Sequence, residues 1–218
     1  NISVINRGID TKFFNQPIDS KRRNQILTTH QIDTDKKIIL FPARMTSWKG
    51  QLEFIDVIKK MDTKNKLVLF VGDTKNESYT KIVRDKIYQN NLKNICKILG
   101  SINQDEMRSL YQIADLSVSF PLRAEGFGRT ISESLYSNTP VLAFDYGGVK
   151  NQLENLSNLF KIKPHDYQAI PSKIEEILSL TKNHQKEVLQ EAKSVIDKNF
   201  SKINMLNQYM KLYESFKF

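Results

Sequence analysis

Glu125 and Glu133 stand eight positions apart, with Gly126-Phe127-Gly128 directly after the first and Arg129 to Ser132 leading to the second. Residues 129–137 have the pattern of a helix, which turns by about 100° per residue. Glu133 then sits roughly one turn in, and Glu125 lies in the loop before the helix. The segment sets a carboxylate, the free N–H groups of a helix start and a second carboxylate along one rim. The positive end of a helix suits phosphate, and carboxylates accept hydrogen bonds from sugar hydroxyls. A ligand with a phosphate centre and hydroxyl-rich groups on both sides, such as a nucleotide diphosphate-sugar, satisfies all three. A turn in which Gly126 and Gly128 supply positive φ, followed by a solvated glutamate, uses the same residue types. Spacing alone leaves both open.

Arg44 and Lys49 fall in a second loop, 42–50. Arginine offers a planar bidentate fork and lysine a mobile point charge, and both suit a diphosphate; two solvated surface cations are the plain alternative. Trp48, the only tryptophan, is expected to pack this loop down. Asp33-Thr34-Asp35 has the shape of a metal-binding pair but precedes the first strong apolar run, and is expected to be a solvated turn. His30, His165 and His184 are scattered without ligand spacing, so no metal site is expected.

Those loops need a frame. Apolar runs at 37–41, 67–71, 95–99, 116–120 and 141–144, with a short sixth at 159–162, alternate with amphipathic stretches at 51–61, 77–89, 104–113, 129–137 and 167–180. Leu52, Ile55 and Ile58, then Ile82, Val83 and Ile87, take core-facing positions. The alternation predicts an α/β chain with one doubly wound, Rossmann-like parallel sheet of about six strands and helices on both faces. Such sheets bind ligands beyond the carboxyl ends of their strands, at the switch point. The loops at 42–50, 72–76, 100–103, 121–128 and 145–148 belong to that edge. The last forty residues carry no strand signal and read as helices at 184–198 and 202–216, the second with Ile203, Leu206, Tyr209, Met210 and Tyr213 at helical spacing.

Composition narrows the partners. The chain has 218 residues, 39 % hydrophobic and 26 % charged, as expected of a soluble globular protein. Its longest apolar runs fall far short of the ~20 residues that span a bilayer, and residues 1–8 lack a signal-peptide pattern. The missing initiator Met suggests a fragment, and a cytoplasmic location is expected, with peripheral contact at the inner membrane face as an option. Cys96, the single cysteine, precludes an internal disulfide and is expected to be buried in a strand. A net charge of +9 favours anionic partners. The lysines are dispersed and lack the interleaved aromatics of a nucleic-acid reader, so nucleic acid is not expected.

The segment Phe41-Pro42-Ala43-Arg44 through Lys49-Gly50 resembles the Gly-Arg-x4-Lys-Gly segment of the retaining group 1 glycosyltransferases with GT-B fold. Glu125 to Glu133 resembles their E-x7-E motif, including the Gly-Phe-Gly. Residues 4–10 resemble the interdomain segment, Asp145 to Val149 the Gly-Gly loop, and 204–218 the closing helix. Order and separations agree from about Ser3 to Leu153. Asn6-Arg7, Phe41-Pro42-Ala43 and Lys150-Asn151 depart from the usual Pro-Asn, Val-Gly and Pro-Glu.

The resemblance implies the C-terminal, donor-binding half of a two-domain enzyme. Residues 1–218 would form a single α/β domain, with 1–12 as interdomain segment and 182–218 as C-terminal helices, and an acceptor domain would precede Asn1. Arg44 and Lys49 would contact the donor diphosphate, and Glu125 would sit near the transferred sugar. Gly126, Phe127 and Gly128 would close around that sugar, and the amides of Arg129 and Thr130 would cradle the phosphate. Glu133 would accept from the ribose hydroxyls, the loop through Ile102 would hold the base, and Gly72 would leave room for the nucleotide. The family retains anomeric configuration, often without a metal, so no cofactor is expected beyond the nucleotide-sugar substrate. The acceptor would be a saccharide or a lipid-linked sugar of cell-envelope polysaccharide. A nucleotide-sugar epimerase of the same architecture, or a basic module that binds polyanions, remains the alternative; a phosphorylase would need a pyridoxal lysine motif that is not seen.

Overall fold

The computed structural model describes residues 2–216; Asn1, Lys217 and Phe218, the last two belonging to the segment that resembles the closing helix, lie outside them. Six strands, β1 (Lys37–Pro42), β2 (Lys66–Val71), β3 (Cys96–Gly100), β4 (Leu116–Ser119), β5 (Val141–Phe144) and β6 (Lys161–Ile162), form one sheet in the order β3-β2-β1-β4-β5-β6. All five pairings are parallel. β1 and β2 are buried along almost their whole length, as strands must be when helices cover both faces of a parallel sheet. The doubly wound α/β fold expected from the alternation is present.

The covering helices are α1 (Thr11–Phe14), α2 (Ser20–Thr29), α3 (Gln51–Ile58), α4 (Glu77–Gln89), α5 (Gln104–Ile113), α6 (Arg129–Tyr136), α7 (Gly148–Leu153), α8 (Ile170–Leu178), α9 (Lys182–Asn199) and α10 (Lys202–Glu214). Three have no counterpart in the apolar pattern. α1 is a single turn; α2 buries only Ile26, so its sequence lacks an apolar stripe; α7 opens at Gly148, where paired glycines read as loop.

An aromatic layer crosses the sheet near the carboxyl ends of its strands. Phe41 meets Phe70 at 5.4 Å between ring centroids, Phe54 of α3 meets Phe120 at 5.3 Å, and Phe120 meets Phe144 at 5.1 Å. Such tilted pairs add to area burial and give the loops above them a stiff floor. Ile82, placed inward by periodicity, is exposed, while Val83 and Ile87 of the same helix are buried. The α10 residues Ile203, Leu206, Tyr209, Met210 and Tyr213 are exposed as well, and α10 buries none of its residues. Cys96 is buried at the start of β3, and burial pushes its thiol up to about 12. Asp33, Thr34 and Asp35 are exposed ahead of β1, at the opposite edge from the loops 42–50 and 121–128, with Asp33 Oδ1 accepting from the Asp35 N–H at 3.1 Å.

Candidate functional site

The chain reverses its direction of winding between β1 and β4, so the loops that leave these neighbours diverge and open a crevice. A cleft of about 1100 Å³ lies there. Backbone contact ties its two walls together. The Leu122 N–H donates to the Trp48 carbonyl at 2.8 Å. Gly50, with φ of 85°, lies so close to β4's exit that a Cβ would stand 2.0 Å from the Phe120 carbonyl oxygen, which only glycine tolerates.

This docking brings Lys49 to Glu125: Nζ and Oε1 are 2.6 Å apart, with the two side chains 14 % and 13 % exposed. The Trp48 ring lies 4.2 Å from the same ammonium, a favourable cation–π placement. The buried Gln51 side chain donates to the Arg44 carbonyl at 2.8 Å and accepts from the Tyr79 hydroxyl at 3.2 Å, while the Met45 N–H donates to the Asp73 carbonyl at 2.8 Å. Arg44 therefore rises from a fixed backbone into the cleft, exposed, and makes no ion pair among the described residues.

The opposite wall is the start of α6. Its N-cap is Gly128 at φ 76°, with no side-chain cap, whereas α2, α4, α5, α9 and α10 are capped by Asp19, Asn76, Asn103, Thr181 and Ser201. The first N–H groups of a helix have no intrahelical acceptor, so those of Arg129 and Thr130 stay available at the cleft, where both residues lie. The loop before them is held from below. The Gln152 side chain, buried on α7, donates to the carbonyls of Phe127 and Gly128 and accepts from Ser132 Oγ. The Gly148 N–H donates to the Glu125 carbonyl at 2.7 Å.

Glu133, one turn into α6, is 7 % exposed. Arg129 Nη2 sits 2.8 Å from Oε1, and the Tyr111 hydroxyl donates to Oε2 at 3.2 Å. Burial pushes the Glu133 carboxyl above its ordinary value of 4.5, and Arg129 and Tyr111 draw it part of the way back. A raised carboxyl means that the folded chain keeps a proton the unfolded chain releases, so stability falls as pH rises from about 4.5 to the folded value. Glu133→Gln removes that titration. The variant is expected to be more stable than wild type above this window, and the gain should vanish as pH drops below about 4. Urea midpoints measured across that range check the sign; a gain that grows on acidification contradicts it.

All eleven residues singled out from the sequence, Arg44, Lys49, Gly72, Ile102, Glu125, Gly126, Phe127, Gly128, Arg129, Thr130 and Glu133, line this one cleft. The backbone adds detail at two of the glycines. A Cβ on Gly72 would meet the Ala43 carbonyl oxygen at 2.2 Å, so the close approach of β1 and β2 demands the glycine. Gly126 does not adopt positive φ; Gly128 alone in that turn does. Tyr111 and Gln152 went unnoticed in the sequence because each acts through a partner distant in the chain, and Gln51 because a helix-start glutamine reads as solvated although here it is buried and reaches back seven residues to the Arg44 carbonyl. Among the described residues no group of three or more His, Cys, Asp or Glu could hold a metal ion, and no helix is long and apolar enough to cross a membrane.

Comparison with known proteins places this geometry. The trehalose synthase of Thermococcus litoralis is 29 % identical over 201 residues, covering 87 % of this chain and 47 % of the relative. An uncharacterised glycosyltransferase of Methanocaldococcus jannaschii is 24 % identical over 214 residues, covering 98 % and 54 %. Among solved structures, a glycosyltransferase from Rickettsia africae superposes with a TM-score of 0.91 at 28 % identity, over 98 % of this chain and 56 % of that one. HepE of Anabaena, in complex with UDP and glucose, gives 0.84 at 22 %, over 98 % and 57 %. The chain thus spans about half the length of the relatives it matches, with the fold of one half of a GT-B glycosyltransferase. Residues 22–195 match the family model for glycosyl transferases group 1, and the chain belongs to that family.

Proposed function

We propose that this chain is the donor-binding part of a retaining glycosyltransferase, which takes a nucleotide diphosphate-sugar and passes its glycosyl group to a saccharide or lipid-linked acceptor of cell-envelope polysaccharide. One observation carries this: Lys49 and Glu125 meet at 2.6 Å in the crevice where the uncapped start of α6 also opens. Arg44, Lys49 and the amides of Arg129 and Thr130 receive the diphosphate and stabilise the charge that grows on it as the sugar departs. Glu125 faces the sugar with the Gly126-Phe127-Gly128 backbone, and Glu133 accepts from the ribose. The loop through Ile102 and the floor at Gly72 leave the base to backbone contacts. The Glu125 carboxylate, held by Lys49, acts on orientation and on positive charge at the sugar rather than as a free nucleophile.

The acceptor half belongs to a further domain, in keeping with relatives about twice as long. Half a cleft cannot align both reactants, and alignment supplies much of the rate. The chain alone is therefore expected to bind UDP, GDP or ADP weakly and to transfer little sugar. UDP is the first to try, since HepE was solved with UDP and with UDP-glucose. Calorimetry on the folded chain decides: tighter binding of one nucleoside diphosphate than of its nucleoside supports the donor site. No heat with any of the three, or equal binding of all polyanions with steep salt dependence, sinks it.

A further inference from the structure

Tyr111 lies on α5, outside every motif, and its ring is fully enclosed, edge-on to Phe14 at 6.3 Å between centroids. Its backbone carbonyl accepts from Thr139 Oγ1, which fixes the residue at its root. The residue borders the cleft, and its hydroxyl donates to Glu133 Oε2 at 3.2 Å, its one side-chain hydrogen bond among the described residues. Burial, then the Glu133 charge, raise the Tyr111 phenol well above 10.0, so it keeps its proton to give. On the far side of the carboxylate, Arg129 Nη2 grips Oε1 at 2.8 Å.

The terminal torsion of a glutamate is broad and roughly two-fold when nothing holds it. Here both oxygens are held, from opposite sides and by different helices. A carboxylate offers about four lone-pair sites. With one taken by Tyr111 and one by Arg129, one remains on each oxygen, which matches the two donors of a vicinal diol. We propose that Tyr111 is a positioning residue for ribose recognition: by anchoring Oε2 it fixes the plane of the Glu133 carboxylate, so that the two remaining sites receive the 2′- and 3′-hydroxyls of the bound nucleotide. This rests on the assignment of Glu133 to the ribose made above. The phenyl ring fills the core with or without its oxygen; the hydroxyl serves Glu133.

Tyr111→Phe keeps the ring and removes that oxygen. Calorimetry with UDP, GDP and ADP, and with the 2′,3′-dideoxy analogue of whichever binds best, reads the effect as a ratio of dissociation constants. Wild type should prefer the ribonucleotide by about tenfold or more. Tyr111→Phe should bring the ratio to about threefold or less by weakening the ribonucleotide alone. In a Glu133→Ala background, adding Tyr111→Phe should leave the ratio where Glu133→Ala put it, because the tyrosine acts through the carboxylate. A full wild-type ratio in Tyr111→Phe overturns the proposal. So does an equal loss for both ligands, or a variant that no longer folds, since each marks a structural role. Wild type that binds no nucleoside diphosphate overturns the donor site itself, and binding with no ribose preference overturns the role of Glu133.

Discussion

If this chain is a glycosyltransferase donor domain as proposed, Arg44→Ala and Lys49→Ala are each expected to lower sugar transfer by an enzyme that carries it by about 100- to 1,000-fold, the range seen when one preorganised donor is removed from a developing negative charge. Their effects on binding should differ, and the ligand-free geometry says how. Arg44 is exposed in the cleft and free of any ion pair among the described residues, so in the proposed site its guanidinium can meet a diphosphate without first breaking an ion pair. Lys49 is already satisfied by Glu125 at 2.6 Å and by the Trp48 ring, and must give up part of that to reach phosphate. Arg44→Ala should therefore weaken UDP more than Lys49→Ala does, while Lys49→Ala falls mainly on transfer. Neither should change the affinity for uridine, which lacks the phosphates. Calorimetry with UDP and uridine, beside a transfer assay, separates these effects; equal losses for UDP and uridine in Arg44→Ala would remove Arg44 from the phosphate site.

How much of this was legible in the sequence follows from the range of each interaction. Strands such as Lys37–Pro42 and Lys66–Val71 announce themselves because both faces are buried and every position is constrained. The strand expected at 159–162 is shorter, Lys161–Ile162, with only Ile162 buried, because Asn158–Phe160 wind into a 3-10 turn that an apolar run does not reveal. Ile82 and the apolar residues of α10 obey helical spacing yet face outward, since periodicity gives a side of the helix and not what covers it. The cleft residues Arg44, Lys49, Glu125 and Glu133 were legible because loops at strand ends and an α6 start with glycine caps carry strong local signals. Tyr111, Gln51 and Gln152 carry none. A tyrosine on a helix reads as core, a glutamine as surface, and only the fold shows that Gln51 reaches the Arg44 carbonyl and Gln152 the carbonyls of Phe127 and Gly128. The glycine at 72 was legible from the resemblance, but the Ala43 carbonyl that a Cβ there would meet, across the β1–β2 ends, was not.

Glu125→Gln should tighten UDP while nearly abolishing transfer, a split that few substitutions produce. In the proposed donor site the wild-type carboxylate shares the cleft with an incoming diphosphate of the same sign. At a separation of about 6 Å and an effective dielectric near 20, that repulsion is roughly 3 kcal/mol before further screening. The same carboxylate also occupies Lys49 Nζ at 2.6 Å, with both side chains sheltered from solvent. Glutamine preserves the shape, removes the charge and releases the ammonium to the phosphates. About tenfold tighter UDP binding is a conservative expectation, and it should shrink at high salt. Transfer runs the other way. As the bond to the leaving phosphate stretches, positive charge grows on the sugar, and the amide supplies no negative partner for it; a drop of at least about 100-fold follows. The pair of measurements is decisive in combination: tighter UDP with lost transfer places Glu125 beside the sugar and against Lys49, whereas weaker UDP with lost transfer would move Glu125 to the nucleotide end of the cleft and leave the sugar without its carboxylate.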